Sequence, residues 1–546
     1  MTDIDVSPST RPLRAGWSAN TLTAVAALVF TLFYNAAFWR VLTGAQPIDG
    51  VGSAAFLVAA AIVVWAFNAL LLSVLAWRGV HKPLLATVFL LAAAAAAFMD
   101  GYGTVIDRHA LQSVLETDAR EAADWLSWRL AAYVVLLGLL PAAVLWKIPV
   151  HYRRWPAELA RRAAFAAALL AAIGLAVWPF SREMASVARN HAELRHLAAP
   201  ANLFNATRGY LSHRGAAPDG PATPMATDVH PGSLPHRRPR VLVLVVGESA
   251  RAASFSLGGY ARPTNPELAT LPVTWFGAVA SCGTNTATSL PCMFSGLGRH
   301  DYDDGRARRS ENLFDVVARG GFRVEWEDNN TGSKGVAARQ KEENLGAMAA
   351  DCAEECYDEV LVDHLRRELD SVPRDLDQVY VLHQIGSHGP AYFRRVPPAF
   401  RRFEPACADV DLQQCTREEI VNAYDNTILY TDHVLAGLIG ELAQRTDRDT
   451  ALLYVSDHGE STGEHGWYLH GAPYLVAPTE QTHVPMLLWT STGFSQWRGL
   501  DAGCTALAAR RPLSHDNYFH LVLGLLDLQT QAYRRDMDPL GGCAPA

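Results

Sequence analysis

The sequence predicts a helical membrane part with five spans, followed by a soluble α/β part whose mostly parallel sheet is flanked by helices. Three observations lead to this fold class. The hydrophobic excess of the 546-residue chain lies before residue 181. Aliphatic, strand-like runs alternate with helical patterns after residue 240, which is typical of α/β domains. All eight cysteines lie after residue 281, so the two parts differ in composition as well as in pattern.

Five apolar runs account for the predicted five-helix transmembrane domain over residues 1–180. They are Leu22–Leu42, Ala54–Leu75, Leu84–Met99, Leu126–Trp146 and Ala163–Phe180. A helix needs roughly 20 apolar residues to cross a bilayer; the first, second and fourth runs meet this length, and the third is short and rich in alanine. No small-residue cleavage pattern follows the first run, which argues against a signal peptide.

Basic residues between the runs predict the orientation of the spans, because cytoplasmic loops carry an excess of Lys and Arg. The segments predicted to be cytoplasmic contain Arg11, Arg14, Arg78, Lys82, Lys147, Arg153, Arg154, Arg161 and Arg162. The loop 43–53 has no Lys or Arg, and the loop 100–124 is acidic on balance. An odd number of spans then exports everything after Phe180.

The cysteines agree with an exported location, where disulfides form readily. Short spacing favours three pairs, and the two remaining residues are left to pair with each other: Cys282 with Cys292, Cys352 with Cys356, Cys407 with Cys415, and Cys504 with Cys543. Free buried thiols or a zinc cluster are the alternative. The formal net charge of -8 argues against a nucleic acid partner.

Residues 181–240 are predicted to join the two parts. Ser181–Leu211 has mixed charges and apolar residues at helical spacing, which predicts an amphipathic bridging helix at the membrane surface or a plain connector helix. Residues 212–240 are rich in Pro, Gly and Ala, as linkers are. The soluble α/β domain is therefore expected to cover residues 241–546.

Within 241–546, five runs predict strands: Val241–Val246, Arg323–Glu327, Val379–His383, Ala451–Val455 and Val484–Trp489. Helical patterns fall at Leu313–Arg319, Leu361–Leu369, Glu418–Leu442 and, after a potential N-cap at Ser514, Asn517–Leu526. Ligands of such sheets bind beyond the carboxyl ends of the strands, and polar clusters follow these strands repeatedly.

Two of these clusters predict a metal site. Glu248 follows the first strand, and Asp457 and His458 follow the strand that begins at Ala451. Carboxylate oxygen and imidazole nitrogen are ligands that zinc accepts. Taken singly, Glu248 reads as a helix cap and the other two as turn residues; their shared place at strand ends favours the metal.

Further polar residues follow the other strands and lie near the predicted metal edge. Asn330 and Lys334 come after the strand ending at Glu327, and His383, His388 and His470 come after two others. A lone histidine is usually structural, but several histidines with a lysine suit binding and protonation of a phosphate group.

The segment Ser281–Cys292 is rich in hydroxyl groups and predicts a nucleophile. Pro291 suits the first turn of a helix with the Ser and Thr residues ahead of it as caps, and a helix N-terminus attracts anions. The spacing does not choose among Thr284, Thr286, Thr288 and Ser289.

Together these motifs resemble the lipid A phosphoethanolamine transferases, membrane-anchored members of the alkaline phosphatase and sulfatase superfamily. The resemblance covers nearly the whole chain. It is carried by Val245–Arg251, Cys282–Ser295, Asp328–Asn330 with Lys334, Leu382–Pro390, and Ser456–Ser461 with Tyr468–Gly471.

The resemblance implies a role for each matching position. Thr286 matches the nucleophile that carries phosphoethanolamine, and Glu248, Thr286, Asp457 and His458 match the ligands of one tightly bound Zn²⁺. The remaining matches are substrate-binding or second-metal positions, with His470 or His388 as proton donor and a second zinc on the side of the histidines: Asn330, Lys334, His383, His388 and His470.

The family's reaction moves phosphoethanolamine from phosphatidylethanolamine to a phosphate of lipid A, which weakens binding of polymyxins. The resemblance also implies a monomer in the bacterial inner membrane, among membrane lipids, with its catalytic domain in the periplasm. The alternatives are transfer to a core sugar of lipopolysaccharide, a glycerophosphate transferase or phosphodiesterase of the same superfamily, and a sensor with a degenerate site.

Overall fold

The computed structural model describes residues 16–46, 50–116, 119–191, 193–213, 221–235, 238–348, 356–371, 373 and 375–543.

 These residues form two compact units, one built from residues 16–100 and 128–205 and the other from residues 101–127 and 206–543.

The first unit is helical, as its apolar runs predict. Its helices are α1 Ala19–Phe33, α2 Ala36–Ala45, α3 Val51–Ser73, α4 His81–Tyr102, α7 Trp128–Tyr133, α8 Leu140–Lys147, α9 Trp155–Val177, α10 Ser181–Asn190, α11 Leu194–Leu197 and α12 Ala201–His213. Only the first residues of α12, up to Asn205, belong to this unit. A π-helical stretch, Val134–Leu139, joins α7 to α8. A short parallel pair, β1 Trp17–Ser18 and β2 Val150–His151, completes it.

Four stretches of the described chain are long and apolar enough to cross a membrane: Val51–Ser73, His81–Tyr102, Trp128–Lys147 and Trp155–Asn190. A fifth is counted if α1 and α2, which meet at an angle of 62°, form one span. The break lies at Asn35, whose side-chain amide donates to Phe30 O at 2.8 Å and Ala199 O at 3.0 Å. The first run is therefore bent where a buried amide bonds to backbone carbonyls.

The predicted amphipathic stretch after Phe180 is helical but divided into α10, α11 and α12. Ala199 lies between α11 and α12. Its N–H donates to Asn35 Oδ1 at 2.7 Å, and its carbonyl accepts from Asn35 and Asn68. These bonds tie the end of the stretch to α3 and to the α1–α2 break, which a continuous surface helix would not explain.

The second unit contains an eight-stranded sheet in the order β13-β5-β12-β9-β4-β8-β6-β7. Its strands are β4 Arg240–Gly247, β5 Thr274–Ala280, β6 Arg323–Asp328, β7 Lys341–Asn344, β8 Gln378–His383, β9 Asp449–Ser456, β12 His483–Thr490 and β13 Leu513–Ser514. Neighbouring strands are parallel except that β12 is antiparallel to both β5 and β9. The predicted mostly parallel α/β fold is confirmed.

The helices of this unit include all four that the sequence predicts, and their observed ends differ from the predicted ends by two residues at most. They are α5 Arg108–Glu116, α6 Ala119–Asp124, α13 Thr286–Ser295, α14 Gly298–Asp301, α15 Asp304–Arg308, α16 Leu313–Arg319, α17 Leu345–Met348, α18 Glu359–Ser371, α19 Arg417–Ala443, α20 Thr479–Thr482, α21 Thr492–Arg498, α22 Ala502–Ala508 and α23 Tyr518–Leu525. Ser514 caps a 3₁₀ turn, His515–Asn517, that leads into α23.

Burial of the central strands explains why they have no polar alternation. Leu242, Leu244 and Val246 of β4 share one core with residues of α13, α16 and α23. The intervening residues Val243 and Val245 are equally buried. A strand covered on both faces is apolar throughout, which is the pattern that predicted it.

Part of the predicted linker is ordered against the second unit. His230–Pro231, strand β3, pairs with Leu528–Gln529, strand β14, and Asp228 accepts from Thr530 Oγ1 at 2.7 Å and from Gln531 N at 2.8 Å. Residues 214–220 of the linker lie outside the described residues. The remaining small sheet pairs β10 Ser461–Thr462 with β11 Tyr468–Leu469.

Disulfides join Cys282 to Cys292, Cys407 to Cys415 and Cys504 to Cys543. These are three of the four pairs that the sequence predicts. Cys356 is also disulfide-bonded, while Cys352 lies outside the described residues.

Candidate active site

The site lies where the parallel strands β4, β9, β8 and β6 end. Gly247 pairs with Ser456, and Val246 with His383, so the residues that follow these strands reach one edge of the sheet. Gly247 is required there because a Cβ atom would meet the Tyr454 ring at 2.5 to 2.8 Å. Glu248 is not a helix cap: the next helical turn begins at Ala252, and its N-cap is Arg251.

Glu248, Asp457 and His458 meet at this edge, and all three are fully buried. His458 Nε2 lies 3.2 Å from Glu248 Oε1 and 3.4 Å from Asp457 Oδ2. One ligand atom from each residue fits within a group whose members are all within 4.8 Å of one another. The two carboxylates, which are distant in sequence, thus share one imidazole nitrogen.

The donor set fits a zinc ion. His458 Nδ1 lies 3.0 Å from Gly459 O, which fixes the proton on Nδ1 in neutral imidazole and leaves the Nε2 lone pair facing two carboxylates. Asp457 Oδ2 is buried without a hydrogen-bond partner among the described residues. A lone pair and an unpaired carboxylate oxygen that face each other call for a cation between them.

The pKa shifts of the group show that its two carboxylates attract a positive charge, either a proton on His458 Nε2 or a cation bound in its place. Burial disfavours the charged imidazolium of His458, but Asp457 and Glu248 outweigh it and raise the pKa of His458 to about 10. Burial, and then the charge of Glu248, raise the pKa of Asp457 to about 6. Burial also acts to raise the pKa of Glu248, but His458 and the neighbouring histidines lower it well below its usual range. Two carboxylates in a dry site need compensating positive charge.

Thr286 is the hydroxyl residue that faces this group. Its Oγ1 donates to Glu248 Oε2 at 3.0 Å and lies 3.3 Å from His458 Nε2. The other three candidate hydroxyls are used elsewhere: Thr284 donates to Ala472 O, Thr288 contacts His109 Nδ1, and Ser289 donates to Asp457 O. The structure therefore separates four hydroxyls that the spacing left equivalent.

The helix that carries Thr286 begins earlier than the sequence predicts. Asn285 is its N-cap and accepts from Thr288 N at 3.0 Å, so Thr286 is the first helical residue. The prediction that Pro291 lies in the first turn is wrong, since Pro291 is inside α13. The helix begins at Thr286 because the Asn285 side chain accepts a hydrogen bond from an N–H of the first turn.

His383 and Asn330 lie beside Glu248. Asn330 Nδ2 donates to Glu248 Oε2 at 3.0 Å and to Gln384 O at 2.9 Å, and it is 3.4 Å from His383 Nε2. His383 Nδ1 is held by Asp328 Oδ2 at 2.8 Å. Asp328 thus orients the ring and leaves Nε2 directed toward the Glu248 side.

His470 and His388 lie on the His458 side. The His470 ring centroid is 4.4 Å from that of His458 and 5.5 Å from that of His388. His470 Nδ1 is held by Glu460 Oε2 at 2.8 Å. His458, Glu460 and His470 form a second metal-compatible group among the described residues, whereas His383, His388 and His470 do not. The predicted second metal would therefore have a different ligand set.

Lys334 makes no hydrogen bond or ion pair to Glu248, Asp457 or His458 in the described part of the chain, but its backbone conformation is unusual. It has a φ of 51°, and its Nζ donates to Thr331 O at 3.1 Å. Ser249 and Leu469, each next to a predicted site residue, also have positive φ values of 56° and 63°. Non-glycine residues adopt this region at a cost that surrounding structure must offset, and they concentrate at functional sites.

Sequence reasoning missed His515. This buried histidine accepts from Cys282 N through Nδ1 at 3.1 Å, and its Nε2 lies 3.0 Å from Ser456 O. Its Nδ1 is also 3.3 Å from Ser289 Oγ. It joins the segment that carries Thr286 to the strand that ends before Asp457. A single histidine after a cap residue gives no sequence signal for such a role.

Comparison with known proteins agrees with this geometry. Residues 240–528 match the sulfatase family model, and residues 64–214 match the family model described as phosphoethanolamine transferase EptA/EptB. Phosphoethanolamine transferase EptA of Escherichia coli K12 is 36% identical over 528 residues, covering 95% of this chain and 96% of the relative. The chain belongs to the lipid A phosphoethanolamine transferase family.

Other members of the transferase family are similarly related. Phosphatidylethanolamine transferase Mcr-1 of Escherichia coli is 36% identical, covering 94% of this chain and 96% of its own. The structure of lipooligosaccharide phosphoethanolamine transferase A from Neisseria meningitidis superposes with a TM-score of 0.93 at 36% identity, covering 97% of this chain and all of that one. The protein is thus an enzyme, a phosphoethanolamine transferase.

Proposed function

We propose that this enzyme transfers phosphoethanolamine from phosphatidylethanolamine to a phosphate of lipid A through a covalent intermediate on Thr286. The observation that carries the proposal is the position of Thr286 Oγ1, 3.0 Å from Glu248 Oε2 and 3.3 Å from His458 Nε2. The names of the relatives support the transferred group, and that of one relative, Kdo(2)-lipid A phosphoethanolamine 7''-transferase, supports an acceptor that contains lipid A.

The proposed metal is one Zn²⁺ held by Glu248, Thr286, Asp457 and His458. Bound zinc would lower the pKa of the coordinated hydroxyl and offset negative charge at the phosphate. The protein itself restrains the position of Thr286 relative to Asp457. Asn285 caps α13, and Ser289 Oγ donates to Asp457 O at 2.5 Å. These bonds hold the nucleophile against the ligands before substrate arrives.

In the first half-reaction, Thr286 Oγ1 passes its proton to Glu248 Oε2, to which it donates at 3.0 Å, and bonds to phosphorus while the bond from phosphorus to the diacylglycerol oxygen breaks. That oxygen takes a proton, and we assign the donor role to His470 or His388. Glu460 holds His470 Nδ1 at 2.8 Å, which leaves Nε2 for the substrate. In the second half-reaction an oxygen of the acceptor phosphate gives its proton to the same histidine and bonds to phosphorus. The bond from phosphorus to Thr286 Oγ1 breaks, and Glu248 returns the proton to that oxygen.

Asn330, His383 and Lys334 complete the proposed site on the other side. Asn330 and His383 lie next to Glu248, where they would contact the phosphate oxygens. Lys334, one loop further along, supplies a positive charge for the same anionic groups.

The proposed location is the bacterial inner membrane, with the second unit in the periplasm and the enzyme acting as a monomer. The distribution of Lys and Arg between the apolar runs supports this orientation. The disulfides in the second unit support an oxidising compartment.

The decisive experiment is mass spectrometry of lipid A from cells that express the protein, with fluorescent phosphatidylethanolamine turnover by the purified enzyme. We expect lipid A to gain one phosphoethanolamine group and cells to tolerate more polymyxin. Thr286→Ala should lower turnover at least about a thousandfold, as loss of a nucleophile does. Thr288→Val is the matched control and should stay within about tenfold of wild type.

Other outcomes would change the assignment. Modified core sugar with unmodified lipid A would contradict the acceptor, and glycerophosphate transfer would contradict the donor. Full turnover by Thr286→Ala would contradict the covalent intermediate while leaving the family membership intact.

A further inference from the structure

A second group of metal-ligand side chains lies outside the active site, in the second unit. Glu327 is on β6, Glu343 is on the edge strand β7, and His364 is on α18. One ligand atom from each lies within 4.8 Å of the others. None of the three contributes to the proposed phosphoethanolamine transfer.

Strand register places the two carboxylates directly opposite each other. β6 and β7 are parallel, and Glu327 is the register partner of Glu343. Two residues earlier on the same face, Glu325 is the partner of Lys341, an opposite-charge pair at 3.5 Å. Like charges at directly opposed positions destabilise a sheet, so the Glu327–Glu343 pair needs a positive charge that the chain supplies only in part.

The positive charge of Lys341 reaches only the exposed side of the pair. Its Nζ lies 2.9 Å from Glu343 Oε1, and the described residues show no ion pair between Lys341 and Glu327. Glu327 is fully buried, and neither of its carboxylate oxygens has a hydrogen-bond partner in the described part of the chain. A buried carboxylate without donors is costly.

His364 lies beside Glu327 and can form an ion pair with it, but it donates no hydrogen bond to the Glu327 carboxylate. His364 Nε2 is 3.2 Å from Glu327 Oε2, yet the ring does not direct Nε2 at that oxygen well enough to form a hydrogen bond. Two ligands about 2.0 to 2.2 Å from a tetrahedral zinc ion lie at about this separation from each other. The contact therefore has the distance of two ligands of one cation and lacks the direction of a hydrogen bond.

We propose that Glu327, Glu343 and His364 bind a divalent transition-metal cation such as Zn²⁺, separate from the catalytic centre. One imidazole and two carboxylates suit zinc, and water from the exposed side of Glu343 completes the coordination. The cation joins the edge strand β7 to β6 and α18. The last residue of β6 is Asp328, which orients His383, so the site stabilises the strand that supports the active site.

The test is the zinc content of the full-length protein after loading with Zn²⁺ and removal of excess, measured by elemental mass spectrometry. Glu327→Gln and His364→Gln should each hold one equivalent less than wild type. Glu368→Gln is the matched control, because Glu368 is an acidic residue on the same helix that contacts Arg323 at 4.0 Å instead of the group. It should keep the wild-type zinc content.

A second background separates this site from the catalytic one. Asp457→Asn removes a proposed catalytic ligand, and its zinc content should fall by one further equivalent when His364→Gln is added. Added Zn²⁺ should raise the thermal midpoint of Asp457→Asn more than that of the double variant. This readout does not depend on activity, so a failure of the proposed function leaves it informative.

Glu343→Gln guards against misfolding, since Glu343 is on the edge strand and partly exposed. This variant should bind one equivalent of zinc less than wild type while keeping the wild-type circular dichroism spectrum. Equal zinc in wild type, His364→Gln and Glu343→Gln would overturn the proposal. That result would leave Glu327 and His364 as an ordinary ion pair.

Discussion

His515 illustrates how single buried residues position the reacting groups. Its ring accepts from Cys282 N and contacts Ser456 O, and burial lowers its pKa to about 3. The ring is therefore neutral at physiological pH and serves as a fixed link between two backbone segments. We infer that His515 positions Thr286 and Asp457, because its hydrogen bonds hold the backbone of the segment that carries Thr286 and of the strand that ends before Asp457.

We predict that His515→Ala lowers both stability and turnover. The N–H of Cys282 and the carbonyl of Ser456 lose their partner, which should cost about 2 to 4 kcal/mol of unfolding free energy. Turnover should fall by more than the loss of folded protein explains, with kcat reduced and KM little changed. Chemical denaturation and steady-state kinetics measure the two effects.

His520→Gln is the control for this residue. His520 is buried in the same segment and accepts from Arg534 N at 3.1 Å, but it has no contact with the site among the described residues. Its substitution should lower stability and leave kcat unchanged. Equal loss of kcat in both variants would reduce His515 to a general stability role.

At the scale of elements, the disulfide between Cys282 and Cys292 encloses the start of α13, which carries Thr286. We predict that replacing both cysteines by serine lowers the unfolding free energy by about 2 to 3 kcal/mol. Turnover should fall further, because the first turn of α13 is then less restrained. Thermal unfolding and phosphatidylethanolamine turnover test this.

The bond between Cys407 and Cys415 provides the comparison. It closes a loop of similar length, with a sequence separation of 8 against 10, but it lies outside the site. Its removal should cost similar stability and little activity. If both pairs affect turnover equally, the restraint of Thr286 is not what the first disulfide provides.

The segment 101–127 is a second element with a specific anchor in the second unit. Asp124 is buried and pairs with Arg394 at 2.5 Å and with Arg395 at 2.6 Å. Removing one partner of a buried ion pair leaves an uncompensated charge and costs about 3 to 5 kcal/mol. We predict that Asp124→Asn increases hydrogen exchange in 101–115 by at least tenfold.

The exposed pair of the same segment is the control. Arg108 lies 3.7 Å from Asp304, and such pairs contribute about 0 to 1 kcal/mol. Asp304→Asn should therefore leave exchange in 101–115 nearly unchanged. Equal protection in Asp124→Asn and wild type would show that other contacts hold the segment.

At the scale of the whole molecule, stability should fall on acidification. Burial, with a smaller effect of Arg534, lowers the pKa of His520 to about 4 from its usual 6.5. The unfolded chain then binds a proton that the folded chain does not, so stability present above pH 6.5 is lost as the pH falls toward 4. After allowance for solvent screening, the loss is about 1 to 2 kcal/mol.

Urea denaturation of wild type and His520→Gln at pH 7.5 and pH 5 measures this effect. The difference in unfolding free energy between the two proteins should be smaller at pH 5 than at pH 7.5. A difference that does not change with pH would show that His520 does not contribute to the acid sensitivity.

Much of the fold was predictable because its signals are local. Uninterrupted aliphatic runs predicted β4 and β9, and helical periodicity predicted α16 and α19. The strands that were missed have other causes. β5 contains a glycine with positive φ, Gly277, and β7 consists of Lys341, Glu342, Glu343 and Asn344, an edge strand without an apolar pattern.

The site was predictable in composition but not in geometry. Strand ends located Glu248, Asp457 and His458, because parallel strands bring their carboxyl ends to one edge. The contacts that distinguish Thr286 from Thr284, Thr288 and Ser289 depend on residues more than 30 positions away. Sequence spacing carries no information about such contacts.

The sequence by itself determined the two-part organisation, the α/β class of the second part and the residue types of the zinc-compatible group, since composition and periodicity act through local burial. Only the tertiary structure decided which hydroxyl faces the carboxylates, that His515 links the two halves of the site, and that Glu327 opposes Glu343. Those features follow from strand register and long-range packing, which bring together residues that are far apart in the chain.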